Sequence, residues 1–137
     1  MTVIVVGVDG SEHADRALEF AAGEATLRGA RLVIVCAWEL PTIISGSAPP
    51  RYVEDLRHEA ERIVQAAVAR AAALQPRLSG EGKAIEGQPA AVLLKEAEHA
   101  DMIVVGSHGR GGFASLLLGS VSQQVLHHAM CPVIVVR

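Results

Sequence analysis

TVIVVGVDGSEHADRALEFAAGEATLRGARLVIVCAW, residues 2–38, changes its periodicity twice. Residues 2–8 are a β-branched run with no polar interruption, the pattern of a strand buried on both faces. Asp9, Gly10 and Ser11 break the run, and Ala14, Ala17, Leu18, Ala21 and Ala25 follow at helical spacing. Ser11 is the expected N-cap, Glu12 sits in the first turn where the helix dipole favours it, and Gly29 is the expected stop. Residues 31–38 return to an apolar run. Strand, helix and strand in this order predict a crossover between parallel strands.

The remainder of the chain continues the alternation. Residues 39–50, ELPTIISGSAPP, hold three prolines and two small-polar clusters, which predict a long loop of the lid or binding type. Val53, Leu56, Ala60, Ile63, Ala67, Ala71 and Leu74 mark one face of a long helix. A short third strand is expected at Lys83–Glu86, on an edge. The turn Gly87-Gln88-Pro89 puts proline at the first position of a helix over 89–99. Residues 102–106, MIVVG, read as a fourth strand, a helix begins near Ser120, and a last strand covers 133–136.

These elements predict one α/β domain over residues 1–137. Its three α/β/α layers enclose a five-stranded, mainly parallel, doubly wound sheet of the Rossmann-like type. Ligands of such sheets sit beyond the carboxyl ends of the strands where the strand order reverses. That rule points at Asp9 and at Gly106.

Composition narrows the partners. Half of the 137 residues are apolar yet only 3% are aromatic, so the core must be Val, Ile, Leu and Ala. A net charge of −3 gives no reason to expect nucleic acid or an acidic membrane as partner. No apolar run approaches the ~18–20 residues that span a bilayer. The chain opens directly on a strand, without a basic leader, so a cytoplasmic location is expected. Cys36 and Cys131 have neither CxxC nor metal-ligand spacing, and both are expected to be reduced and mostly buried.

Chemistry concentrates in GSHGRGGFASLLLGSVSQQ, residues 106–124. Gly106, Gly109, Gly111 and Gly112 crowd the end of a buried strand, where glycine permits positive φ and lets backbone N–H groups approach a ligand. Successive N–H groups in such a turn make a nest for an anion. Gly119-Ser120 then opens a helix whose first donors can hold phosphate. From Met102 to Arg137 there is no Asp or Glu, while His108 and Arg110 stand in the loop. The P-loop pattern GxxxxGK[ST] is absent. Gly109, Gly111 and Ala114 match GxGxxA, but the acidic residue that a nicotinamide ribose needs about 20 positions later is missing.

The spacing Gly106-x2-Gly109-x9-Gly119-Ser120 resembles the nucleotide-binding signature of the universal stress protein family. The opening VGVDGSEHADRAL, the turn GQPA at 87–90, the block DMIVVGSHGRGGFASLLLGSVSQQVL and the closing CPVIVVR resemble that family in the same order. The resemblance implies ATP, bound with Mg²⁺, as cofactor. It implies Asp9, beside Gly7 and Val8, near the ribose and the metal-phosphate region, and a backbone group of Ala37 at the adenine edge. The phosphates would lie against Gly106, Ser107, His108, Gly109 and Arg110, and against Gly119, Ser120, Val121 and Ser122. It further implies a homodimer paired through the last strand, Val133, Ile134, Val135 and Val136.

The remaining candidates have plainer explanations. Ser120 and Gln123 match an S-x-x-Q capping box. Asp9 could cap the first helix. His13, His58 and His99 are expected to be solvated helix residues, and adjacent His127 and His128 point in different directions. Trp38 is expected to pack near the end of the second strand. The function expected is a regulatory ATP-binding module of the stress response. The alternatives are a slow ATPase, for which no general base is evident, and a sensor of AMP or cyclic AMP.

Overall fold

A computed structural model describes residues 2–41, 49–110 and 117–137. Of the loop expected at 39–50, residues 42–48 lie outside the described part, as do Gly111 and Gly112.

The elements alternate: β1 (Val3–Gly7), α1 (Glu12–Arg28), β2 (Arg31–Trp38), α2 (Pro50–Leu74), β3 (Ser79–Glu86), α3 (Pro89–Glu96), β4 (Met102–Gly106), α4 (Ser120–His128) and β5 (Val133–Val136). The five strands form one sheet in the order β3-β2-β1-β4-β5, and every pairing is parallel. The sheet is therefore doubly wound, and its order reverses between β1 and β4. One face packs Ile4, Val6, Leu32, Ile34 and Val104 against alanines of α1 and α2. The other packs Val5, Val33, Val35, Ile103 and Val105 against α3 and α4, with Ala90, Leu93 and Val125 in contact. Alternate residues of one strand thus serve both cores, which is why the buried stretches of the central strands carry no charged residue.

Local signals act largely as expected. Ser11 caps α1, its side chain accepting from the Ala14 N–H, and Gly29 closes the helix in the left-handed region at φ 63°. Pro89 is the first residue of α3, with the Gln88 side chain as its cap.

Several boundaries differ. β3 starts at Ser79 rather than Lys83, and pairs with β2 along its whole length. Its first half, SGEG, has no apolar signal because it lies at the sheet edge with Ser79, Gly80 and Glu81 exposed. Gly82 lets α2 come close, since a Cβ there would meet Val64 Cγ1 at 2.4 Å. α3 ends at Glu96, earlier than the expected residue 99. On α2, Val64 is buried while Leu74 at the helix end is 47% exposed. Cys36 is buried, but Cys131 is only half-buried, and both are free thiols. Trp38 packs partly buried against the α1/α2 core. Among the described residues, no helix is long and apolar enough to cross a membrane.

Candidate functional site

A cleft of about 450 Å³ opens where the strand order reverses. Gly7, Val8 and Asp9 line it from the end of β1 and the turn after it, Val35 and Ala37 from β2, and Val105 and Gly106 from β4. His108, Gly109 and Arg110 follow from the loop after β4, and Gly119, Ser120, Val121 and Ser122 from the start of α4. Every residue expected to bind nucleotide lies on this wall except Ser107, which is buried behind it.

The two ends of the cleft differ in chemistry. On the β2 side Val35, Ala37, Pro89 and Leu93 offer an apolar surface. β2 runs on to Trp38, past its last pairing with β1 at Val35, so its backbone at Ala37 overhangs the cleft. On the β4 side α4 presents its first turn. Its first repeating bond runs from the Gln123 N–H to Gly119 O at 3.1 Å, so the N–H groups of Ser120, Val121 and Ser122 precede the ladder. A helix N-terminus of this kind attracts anions.

Two hydrogen-bonded ties hold the wall. Asp9 Oδ1 accepts from the Ser11 N–H at 2.9 Å and Oδ2 from the Arg110 N–H at 3.1 Å, joining the loops after β1 and β4. The Ser107 carbonyl accepts from the Gly119 N–H at 2.6 Å and from Ser122 Oγ at 3.2 Å, joining the loop to α4. The Arg110 guanidinium lies over Gly10 and pairs with Glu59 of α2 at 3.8 Å. Glu59 is held below the ordinary carboxylate range mainly by its hydrogen bond to Arg62, with Arg110 adding a smaller effect.

This geometry revises four expectations. Asp9 does not cap α1, because Ser11 does. The Arg110 N–H is already donated to Asp9 rather than standing open in a nest. The capping box fails, since the N-cap is Gly119 and Ser120 is the first helical residue, which shifts Gln123 one place too far along; its side chain instead donates to Leu118 O at 3.2 Å. Positive φ is confined to Gly10, Gly29 and Gly87 among the described glycines.

The signature glycines serve close packing instead. A Cβ at Gly106 would come within 2.8 Å of the His13 backbone, one at Gly109 within 2.9 Å of Asp9 Oδ2, and one at Gly119 within 3.2 Å of His108 Cα.

His13 is the residue that sequence reasoning missed. It is half-buried rather than solvated, packs on Gly106, and its Nδ1 lies 3.4 Å from Ser107 Oγ. Pro89 and Leu93 were read only as helix residues, and their place on the cleft follows from α3 crossing β1. The apolar spacing of 89–97 carried that signal, but only the strand order reveals it.

Fold and cleft together define a doubly wound α/β protein with a cleft at its switch point onto which the first turn of α4 opens. The chain belongs to the universal stress protein family, whose family model matches residues 1–137. A universal stress protein of Thermus aquaticus is 40% identical, over 98% of this chain and 97% of that one. A relative in Mycolicibacterium smegmatis is 41% identical, and this chain spans 45% of its length. The universal stress protein of Archaeoglobus fulgidus in complex with dAMP superposes with a TM-score of 0.74 at 30% identity, covering 100% of this chain and 98% of the other. A universal stress protein in complex with cAMP gives a TM-score of 0.76 at 28% identity, covering 99% and 97%.

Proposed function

We propose that this chain is an adenine-nucleotide-binding regulatory module of the stress response, and that its cleft takes ATP with Mg²⁺. The observation that carries this reading is the pairing of an apolar slot at Ala37 and Leu93 with the open first turn of α4 across one cleft. The slot suits a flat base, and the N–H groups of Ser120, Val121 and Ser122 suit phosphate. The donor set fits the group. His108, Arg110 and the α4 amides would hold the phosphates, and the Ala37 backbone would meet the adenine. Among the described residues Asp9 is the one carboxylate on the wall, and its remaining lone pairs would face a ribose hydroxyl or the metal. Bound Mg²⁺ would offset phosphate charge.

The relatives described as complexes with dAMP and cAMP favour a second reading, a monophosphate sensor. The reach of the site, from the loop to the helix start, supports a longer phosphate chain. Calorimetry with ATP, ADP, AMP and cyclic AMP, with and without Mg²⁺, tests both. Tightest binding of MgATP is expected, and an equal or tighter grip on a monophosphate would replace it.

Hydrolysis is expected to be slow. Both Asp9 oxygens already accept backbone hydrogen bonds, which commits that carboxylate to holding the wall rather than to activating water. We also propose a homodimer through Val133–Val136 and a cytoplasmic location.

A further inference from the structure

Arg110 joins three parts of the fold. Its N–H is fixed on Asp9 Oδ2 at 3.1 Å, in the loop after β4. Its guanidinium lies over the turn after β1, where a Cβ on residue 10 would meet Nη2 at 3.2 Å and Cζ and Nε at 3.5 Å. Gly10 leaves that space open, and its φ of 85° is one that favours glycine. The arm ends at Glu59 Oε1 of α2, 3.8 Å from Nη2. Arg110 lines the cleft, whereas Glu59 stands outside it.

The ion pair is weak, and it can open without loss on the helix side. Both side chains face solvent, 59% exposed for Arg110 and 41% for Glu59, so water screens their attraction. Glu59 also has a second cation. Arg62 Nη2 donates to both of its oxygens at 2.6 Å, and Arg62 Nε to Oε2 at 3.1 Å. Release of Arg110 therefore leaves Glu59 still paired. A phosphate chain offers the guanidinium more charge than one carboxylate, and oxygens in the bidentate geometry that arginine matches.

We propose that Arg110 is exchanged between Glu59 and the ligand: Glu59 holds the guanidinium over Gly10 until a polyphosphate in the cleft takes it. Glu59 thus competes with the ligand and lowers its affinity from outside the site. The pivot stays in place, because the Arg110 N–H remains on Asp9 and the side chain alone turns. The exchange also couples the cleft to the surface of α2, since the loop after β4 is tied to that helix only while Arg110 is on Glu59. By linkage, a cationic group that occupied Glu59 would tighten nucleotide by the factor by which nucleotide tightens that group. This role deepens the nucleotide reading and rests on it.

Calorimetry with MgATP, inorganic tripolyphosphate and adenosine tests the exchange in the unaltered chain and in Glu59→Gln and Arg110→Met, singly and together. Glu59→Gln should tighten MgATP and tripolyphosphate about two- to fivefold, the worth of one exposed ion pair, and leave adenosine unchanged. Arg110→Met should bind both phosphates more weakly, and adding Glu59→Gln to it should change nothing further. Equal tightening in both backgrounds would make Glu59 a general negative charge, and weaker binding in Glu59→Gln would make it a support for Arg110. Either result overturns the exchange. Nitrogen-15 spectra of the arginine Nε–H groups give a second readout. Tripolyphosphate should shift the Arg110 signal of the unaltered chain and leave that of Arg62 in place; an Arg110 signal indifferent to bound tripolyphosphate would also overturn the exchange. If the unaltered protein bound neither MgATP nor tripolyphosphate, the nucleotide reading would fall and take the exchange with it, whereas binding indifferent to Glu59→Gln would remove the exchange alone.

Discussion

Asp9 divides its two oxygens between the turn after β1 and the loop after β4. Asp9→Asn necessarily turns an NH₂ toward one backbone donor, and should cost about 1–3 kcal/mol in urea unfolding. Because the Arg110 loop loses its tie, ATP and inorganic tripolyphosphate should weaken together. Selective loss of ATP alone would assign Asp9 to the ribose instead. Gly109→Ala places a methyl 2.9 Å from the same carboxylate. It should abolish the thermal shift given by ATP while unfolding stays cooperative; an unchanged shift would detach the loop from binding. Cys36 concerns pH. Burial, followed by the nearby Asp9 carboxylate, pushes its thiol from 9.0 up to about 11. The folded chain thus keeps a proton that the unfolded chain releases, so this contribution to stability is complete below about pH 9 and is lost toward pH 11. Cys36→Ala should flatten the fall of the unfolding midpoint across that window.

Elements were legible in proportion to how fully they are buried. β1, β2 and β4 announced themselves through unbroken apolar runs, because a central parallel strand has no solvent face to mark, and β5 at the edge by a β-branched run of its own. β3 was seen only by its second half. Ser79–Gly82 carries no apolar residue, and what places it is the partner strand and the helix above. Gly82→Ala measures that dependence. Its methyl would lie 2.4 Å from Val64 Cγ1 and 2.8 Å from Val68 Cγ2, so a loss of about 1–3 kcal/mol in denaturant unfolding is expected. Adding Val64→Ala should cost less in the Gly82→Ala chain than in the unaltered one. Strictly additive effects would mean that strand and helix shift apart freely. At α4 the local signal misled, because S-x-x-Q spacing describes a capping box only if that serine is the N-cap, and the bonds of Gly119 and Ser122 to Ser107 accompany a helix that starts one residue earlier.

For the molecule as a whole, strand order is the information that local patterns lack. The cleft was foreseeable from Asp9 and Gly106, each at a strand end, but His13 reaches Ser107 only because β4 lies beside β1. The outer edge is the other global feature. β5 gives the carbonyls of Pro132 and Val136 to β4, so by the parallel alternation the N–H groups of Val133 and Val135 face outward. Val135→Pro should therefore spare the ladder and convert the proposed dimer to monomer in sedimentation. A dimer that survived would use another surface. Since all five strands run one way, the molecule has two rims with unequal freedom to change. The connections Gln75–Leu78 and Ala129–Pro132 emerge on the rim opposite the cleft. A peptide graft or a fluorescent tag spliced between Pro76 and Arg77 has some 25 residues of α2 between it and the strand tips that hold the ligand, which makes that corner the natural handle for attaching the protein to something else.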